Sequence, residues 1–214
     1  MFDVAIINYE MGNLRSVQSA CNFVGLSTII TNKPNEIMKS RSLFLPGVGA
    51  FNQAMTNIKK YNLKETINNF NKSGKPIIGV CLGMQLFFEQ SDEIKKTKGL
   101  GLVEGNVSKL SSHSNKKNSG INIGWNEIKI KSSNNSIINK NLNNKNFYFI
   151  HKFCCKPKNN DVILAKSKFN GIEFCCAIKH RNIEGYQFHP EKSGKNGLSI
   201  YKNLKKKILN ENTL

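Results

Sequence analysis

Three residues have the types and spacing for thiol chemistry. Cys81 stands in Gly79-Val80-Cys81-Leu82-Gly83, after the apolar run Pro76-Ile77-Ile78 and before Met84-Gln85-Leu86-Phe87-Phe88. A glycine-flanked nucleophile between a strand and a helix has the mechanics of a nucleophile elbow. The turn lifts the central side chain off the sheet, and the glycines let neighbouring backbone pass without a Cβ clash. The helix amino terminus would favour the thiolate, the reactive form. A buried structural thiol fits the same pattern, because free cysteine is among the most buried residue types. Taken alone, Cys81 leaves both readings open.

A thiolate nucleophile needs a base, and the chain has 4 histidines. His113 lies in a Ser/Asn-rich loop and His180 runs into Arg181-Asn182, placements that suit solvated side chains, whereas His151 closes a strand where it could line a cleft. His189 ends Gly185-Tyr186-Gln187-Phe188 and precedes Pro190-Glu191. In an extended segment residues i and i+2 share a face. Glu191 would then orient one ring nitrogen of His189 while the other faces Cys81. Acyl transfer also needs preorganised N–H donors for the developing oxyanion. Leu82 supplies one, and the turn Pro46-Gly47-Val48-Gly49, at the end of a neighbouring strand, offers a second through Val48 and Gly49.

Strands and helices must bring these pieces together. Residues 2–7, 26–30, 42–45 and 75–80 read as short buried strands. Between them, Leu14, Val17, Cys21 and Val24 recur at helical spacing, and Phe51, Met55, Ile58 and Ile67 mark one face of a further helix. Such alternation argues an α/β fold with a parallel sheet covered on both sides. The second half is strand-rich, with runs at 121–130, 147–151, 162–165, 174–178 and 186–189. Ser/Asn/Lys-rich stretches at 111–120 and 131–146 suit exposed loops. Leu198, Tyr201, Leu204 and Ile208 form a closing helix that should pack on the sheet. The whole chain, 1–214, reads as one domain.

Composition excludes little. The 32 Lys plus Arg against 14 Asp plus Glu give a formal charge of +18. The excess is mostly lysine, is spread along the chain, and accompanies about thirty asparagines, so a compositional bias explains it better than a nucleic-acid partner. Lys205-Lys206-Lys207 reads as the solvated face of the last helix. The first residues do not resemble a signal peptide and no run is long enough for a membrane span, which places the protein in the cytoplasm with reduced thiols. The pairs Cys154-Cys155 and Cys175-Cys176 point to opposite strand faces and lack zinc spacing, so they read as half-buried strand thiols with no metal.

Together the segments resemble the class I, triad-type glutamine amidotransferases, and among them the glutaminase subunits of imidazole glycerol phosphate synthase. The resemblance runs through Tyr9-Glu10-Met11-Gly12-Asn13-Leu14-Arg15-Ser16, Leu45-Pro46-Gly47-Val48-Gly49-Ala50-Phe51, the Cys81 elbow with Met84-Gln85-Leu86, Gly99-Leu100-Gly101-Leu102, Gly124-Trp125-Asn126, Tyr148-Phe149-Ile150-His151 and Gln187-Phe188-His189-Pro190-Glu191-Lys192-Ser193-Gly194. It implies a mostly parallel, flavodoxin-like open sheet, a Cys81–His189–Glu191 triad, and hydrolysis of glutamine through a γ-glutamyl thioester without a cofactor. It further implies that Gly47, Gln85, Lys152 and Phe153 lie at the glutamine site. Tyr148, Lys192, Trp125 and Asn126 would face an ammonia-accepting (β/α)₈-barrel cyclase in a heterodimer. The resemblance leaves room for a paralogue feeding ammonia to sugar-nucleotide substrates, or for a non-catalytic subunit on the same fold. The chain departs from the family's usual Asp-Tyr-Gly at Asn8-Tyr9-Glu10, from Pro-His-Met at Ile121-Asn122-Ile123, and from His-Ser-Tyr at His151-Lys152-Phe153.

Overall fold

The computed structural model describes residues 1–110, 120–132 and 136–210, so His113 and nearly all of the 111–120 loop lie outside the described residues. The first half alternates as its hydrophobic pattern predicts: β1 (Val4–Ile7), α1 (Leu14–Phe23), β2 (Thr28–Thr31), α2 (Pro34–Lys39) and β3 (Ser42–Gly47), then α3 (Phe51–Lys60), α4 (Leu63–Lys72) and β4 (Ile77–Cys81). Two features escaped the pattern. α2 carries only Ile37 into the core, too few residues for a periodicity to register. The single helix expected over Phe51 to Ile67 is two, because Asn62 takes a left-handed conformation (φ 53°) between them and breaks the hydrogen-bond ladder.

After α5 (Leu82–Leu86) come β5 (Phe88–Ser91), β6 (Thr97–Lys98), β7 (Val103–Lys109), β8 (Asn122–Ile130), β9 (Asn146–His151), β10 (Phe153–Pro157), β11 (Ile163–Phe169), β12 (Ile172–His180) and β13 (Ile183–Tyr186), then α6 (Gly194–Asn210). One 13-stranded sheet runs β2-β1-β3-β4-β13-β12-β10-β7-β5-β6, with β11, β8 and β9 branching from β12. Strands β2, β1, β3, β4 and β13 are mutually parallel. β12 then runs antiparallel to β13, and antiparallel pairing dominates the remainder. The order reverses at β1, and ligands of open α/β sheets bind beyond the carboxyl ends of the strands.

The sheet separates two cores. Cys154 and Cys176 belong to the one beneath α1 and α6, Cys155 and Cys175 to the one beneath α3 and α4. Alternation thus splits each adjacent pair as expected, but all four thiols are buried rather than half-buried. The 131–146 stretch is not simply an exposed loop: Ile137, Ile138 and Leu142 are buried. Glu184, also buried, holds that segment by accepting from Ile137 N–H at 3.0 Å and Ser136 Oγ at 3.0 Å. Nor is the basic run of α6 only a solvated face. Lys205 donates to the Val24 carbonyl at 2.9 Å, and Lys207 lies 3.7 Å from Glu184. Among the described residues no helix is long and apolar enough to cross a membrane.

Candidate active site

Cys81 ends β4 with φ 55°, ψ −110°, a strained backbone for a residue with a Cβ, and α5 starts at the next residue. Both flanking glycines are required by close approach. A Cβ on Gly83 would overlap the Leu45 carbonyl oxygen of β3, and one on Gly79 would overlap the Phe87 ring. The elbow therefore packs hard against β3, and the strain at Cys81 is held by its surroundings. Because α5 is little more than one turn, its dipole is a smaller influence on the sulfur than the sequence suggests.

The charged partner comes from the segment after β13. That strand stops at Tyr186, short of the 186–189 run expected from the pattern, and His189 is followed by a 3₁₀ turn over Pro190–Lys192. The turn, rather than an extended i, i+2 alternation, folds Glu191 back under the ring, where Oε1 accepts from His189 Nδ1–H at 2.7 Å. Both side chains are buried. Ser193 fixes the loop by donating to the His189 carbonyl at 2.6 Å and accepting from Tyr148 N–H at 3.0 Å. Burial by itself disfavours the charged imidazole, but the neighbouring Cys81 and Glu191 outweigh it and the His189 pKa is pushed up to about 10. His189 Nε2 is buried, and its interaction with Cys81 is the largest of the influences that raise the pKa. Its neighbours thus bias His189 toward the protonated form beside the sulfur.

On the other side of Cys81, the β3–β4 register sets Gly47 directly beside it. This brings the Pro46–Gly49 turn to Cys81. The turn is anchored from below: buried Tyr9 donates its hydroxyl to the Pro46 carbonyl at 2.6 Å, and Asn57 Nδ2 holds the Tyr9 carbonyl at 2.9 Å. Only glycine fits at 47, since a Cβ would overlap the Tyr9 hydroxyl. Val48 and Gly49 beyond it are exposed, with Gly49 at φ 113°. Leu82 N–H is a first-turn amide, which has no intrahelical acceptor.

Gln85 is buried beside the elbow; its Nε2 donates to the Phe153 carbonyl at 3.1 Å and to Gln187 Oε1 at 3.0 Å. The Lys152 carbonyl accepts from Leu110 N–H at 2.8 Å. The Phe153 carbonyl, which also accepts from His151, has no acceptor site left, whereas the Lys152 carbonyl keeps one. Lys152 itself is exposed, so its charge need not enter the site. His151, considered above as a cleft residue, is buried instead, donating from Nδ1 to Phe153 O at 2.8 Å and accepting at Nε2 from Asn122 Nδ2 at 3.0 Å. Burial, with the His189 charge nearby, lowers its pKa to about 4 and keeps it neutral.

The β8–β9 register sets Trp125 beside Tyr148, with ring centroids 6.0 Å apart. Lys192 Nζ sits 5.9 Å from the Tyr148 ring centroid, while Asn126 Nδ2 donates to Asn122 Oδ1 at 2.8 Å. Trp125, Tyr148 and Lys192, from three separate segments, thus gather at one edge, while Asn126, next to Trp125 on β8, turns to the other face of the strand. Around them Ile121, Ile123, Trp125 and Ile150 expose 55%, 58%, 56% and 40% of their surface, an apolar patch uncommon on a lone chain. The Ile150 carbonyl, on the strand carrying that patch, lies 3.8 Å from Cys81 Sγ. Sequence reasoning missed Gln187, although it shares its face with His189 at i+2, and it missed Asn122, which only sheet pairing brings to His151.

A family model described as glutamine amidotransferase class-I matches residues 5–207. The chain belongs to this family. Within the family it is 40% identical over 205 residues to the imidazole glycerol phosphate synthase subunit HisH of Listeria innocua, covering 94% of each chain. It is 38% identical over 207 residues to the protein of the same name from Geobacter metallireducens, covering 95% of this chain and 98% of that one. PurLQS from Thermotoga maritima superposes over 100% of both chains with a TM-score of 0.75 at 17% identity, a likeness of fold. The amidotransferase fold thus carries the flavodoxin-like parallel half, whose last strand β13 leads into His189, together with the antiparallel half that supplies Tyr148 and Trp125.

Proposed function

We propose that the chain is the glutaminase subunit of imidazole glycerol phosphate synthase in histidine biosynthesis, acting as one domain in the cytoplasm. Cys81 is its nucleophile, His189 its acid–base and Glu191 the residue that orients His189. The observation that carries this reading is the buried His189–Glu191 pair aimed at a cysteine held on a strained elbow. The thiolate attacks the side-chain carbonyl carbon of glutamine, and the electron pair moves onto oxygen, to which N–H groups of Leu82 and the Val48–Gly49 turn donate hydrogen bonds. The imidazolium, already protonated at neutral pH, gives its proton to the departing nitrogen as the C–N bond breaks. Ammonia leaves and a γ-glutamyl thioester remains. Neutral His189 then takes a proton from water, which attacks the thioester; the C–S bond breaks, glutamate departs, and the thiolate beside a protonated His189 is restored.

The ammonia acceptor is a partner subunit, a (β/α)₈-barrel cyclase that forms imidazole glycerol phosphate and AICAR. The apolar patch of Ile121, Ile123, Trp125 and Ile150, with Tyr148 and Lys192, is its docking face; it adjoins the nucleophile, so released ammonia passes directly across the interface. The exposed Val48–Gly49 turn is the gate, because the glycines at 47 and 49 make a peptide rotation cheap. The test is glutamate release with and without the candidate cyclase and its nucleotide. Turnover should rise by orders of magnitude with both present and vanish in Cys81→Ser. Unchanged glutamate release by Cys81→Ser would overturn the nucleophile, and failure to complement a histidine auxotroph lacking this subunit would overturn the pathway.

A further inference from the structure

Gln187 is fully buried between Gln85 and the sulfur of Cys81, and the triad gives it no task. Its orientation is dictated from a distance. The Phe153 carbonyl can only accept hydrogen bonds, and it takes one from His151 Nδ1–H at 2.8 Å and one from Gln85 Nε2 at 3.1 Å. Gln85 must therefore turn its amino group inward. The same nitrogen donates to Gln187 at 3.0 Å, which obliges Gln187 to present Oε1 there. What remains of the Gln187 amide is its N–H₂, and that nitrogen lies 3.7 Å from Cys81 Sγ.

The sulfur has one other polar neighbour among the bonded groups, the Ile150 carbonyl at 3.8 Å. A protonated thiol uses both, donating to Ile150 and accepting from Gln187. A thiolate keeps the donation from Gln187, which then becomes charge-assisted and adds to the attraction of the His189 ring, while the carbonyl turns repulsive. The titratable groups around the sulfur are His189 from the loop after β13, Tyr9 after β1 and Cys155 on β10. Burial keeps Tyr9 and Cys155 protonated, so neither competes for the negative charge.

We propose that Gln187 is a further catalytic residue whose side-chain N–H stabilises the Cys81 thiolate, and that Gln85 is a positioning residue that decides which end of the Gln187 amide meets the sulfur. The inference rests on the reading of Cys81 as nucleophile. The Phe153 carbonyl is where two arms meet: on its far side Asn126 on β8 donates to Asn122, Asn122 to His151, and His151 to that carbonyl.

The test follows the rate of Cys81 alkylation by iodoacetamide against pH on the full chain, with peptide mass spectrometry separating Cys81 from the other cysteines. Gln187→Met, which keeps the length and removes the donor, should raise the midpoint by about one pH unit. Gln187→Glu, isosteric but bringing a negative charge, should raise it further, and Gln85→Met should move it less. Midpoints equal to the parent in both Gln187 variants would overturn the proposal, even if turnover fell, since a space-filling residue would behave that way. Should Gln187→Met fail to fold, the Gln187→Glu midpoint decides. Glutamate release by Cys81→Ser is read separately, so failure of the nucleophile reading is distinguishable from failure of the Gln187 assignment.

Discussion

Acid should destabilise this fold through His151 before its carboxylates titrate. The ring is buried and neutral, with Nδ1–H on the Phe153 carbonyl and Nε2 accepting from Asn122. A second ring proton would point at an Asn122 amino group that cannot turn away, because Asn122 Oδ1 already accepts from Asn126. Burial is the largest cause of its lowered pKa, about 4, and the His189 charge adds to it. The unfolded chain takes up the proton near the ordinary value of about 6.5, so between about 6.5 and 4 the unfolded state binds more protons and stability falls with pH. The His151 contribution is intact above about 6.5 and is reduced by about 2 kcal/mol at pH 5, approaching about 3 kcal/mol at pH 4. His189 has the opposite sign: its raised pKa gives stability that is complete below about 6.5 and is lost toward pH 10. Urea unfolding of the parent and of His151→Gln, which keeps a donor and an acceptor without a titration, cancels the His189 contribution. The stability difference between the two should be flat above pH 7 and shrink by about 2 kcal/mol by pH 5. Parallel curves, or a His151 ring proton titrating near 6.5 in NMR spectra, would refute the reasoning.

Other substitutions test the packing and the face. Gly83→Ala should cost about 3 kcal/mol or prevent folding, because its Cβ overlaps the Leu45 carbonyl, whereas Gly101→Ala, whose Cβ would meet no described atom within 4 Å, should cost no more than about 1 kcal/mol in urea unfolding for its left-handed backbone (φ 69°). Glu184→Ala removes the acceptor of Ile137 N–H and of the Tyr186 hydroxyl, and should lower stability by about 3 kcal/mol while freeing the 136–142 segment to amide exchange. Trp125→Ala should leave thermal stability within about 0.5 kcal/mol, since the ring is exposed, yet weaken binding of the proposed cyclase partner about tenfold or more in a titration. Equal affinity for parent and variant would exclude that face from the interface.

What the sequence by itself determined was local. The strand, the Gly-x-Cys-x-Gly turn and the helix after it occupy one short run, and the positive φ of Cys81 and the close approaches at Gly79 and Gly83 follow from that run folding as an elbow. The spacing of His189 and Glu191 likewise ensured that they could meet, although the pairing is made by a 3₁₀ turn. Low-periodicity pieces such as α2 and the polar strand β7 left no such mark, because too few of their residues face the core. Tertiary structure decided everything that depends on register between distant strands. Pairing of β3 with β4 set Gly47 beside Cys81, and pairing of β8 with β9 set Asn122 on His151 and Trp125 on Tyr148. The donation of Gln187 to the sulfur joins residues 106 apart in the chain. Hydrophobic periodicity says which face a residue occupies; only the packed sheet says which neighbour meets it there, and the chemistry of this site lies in those neighbours.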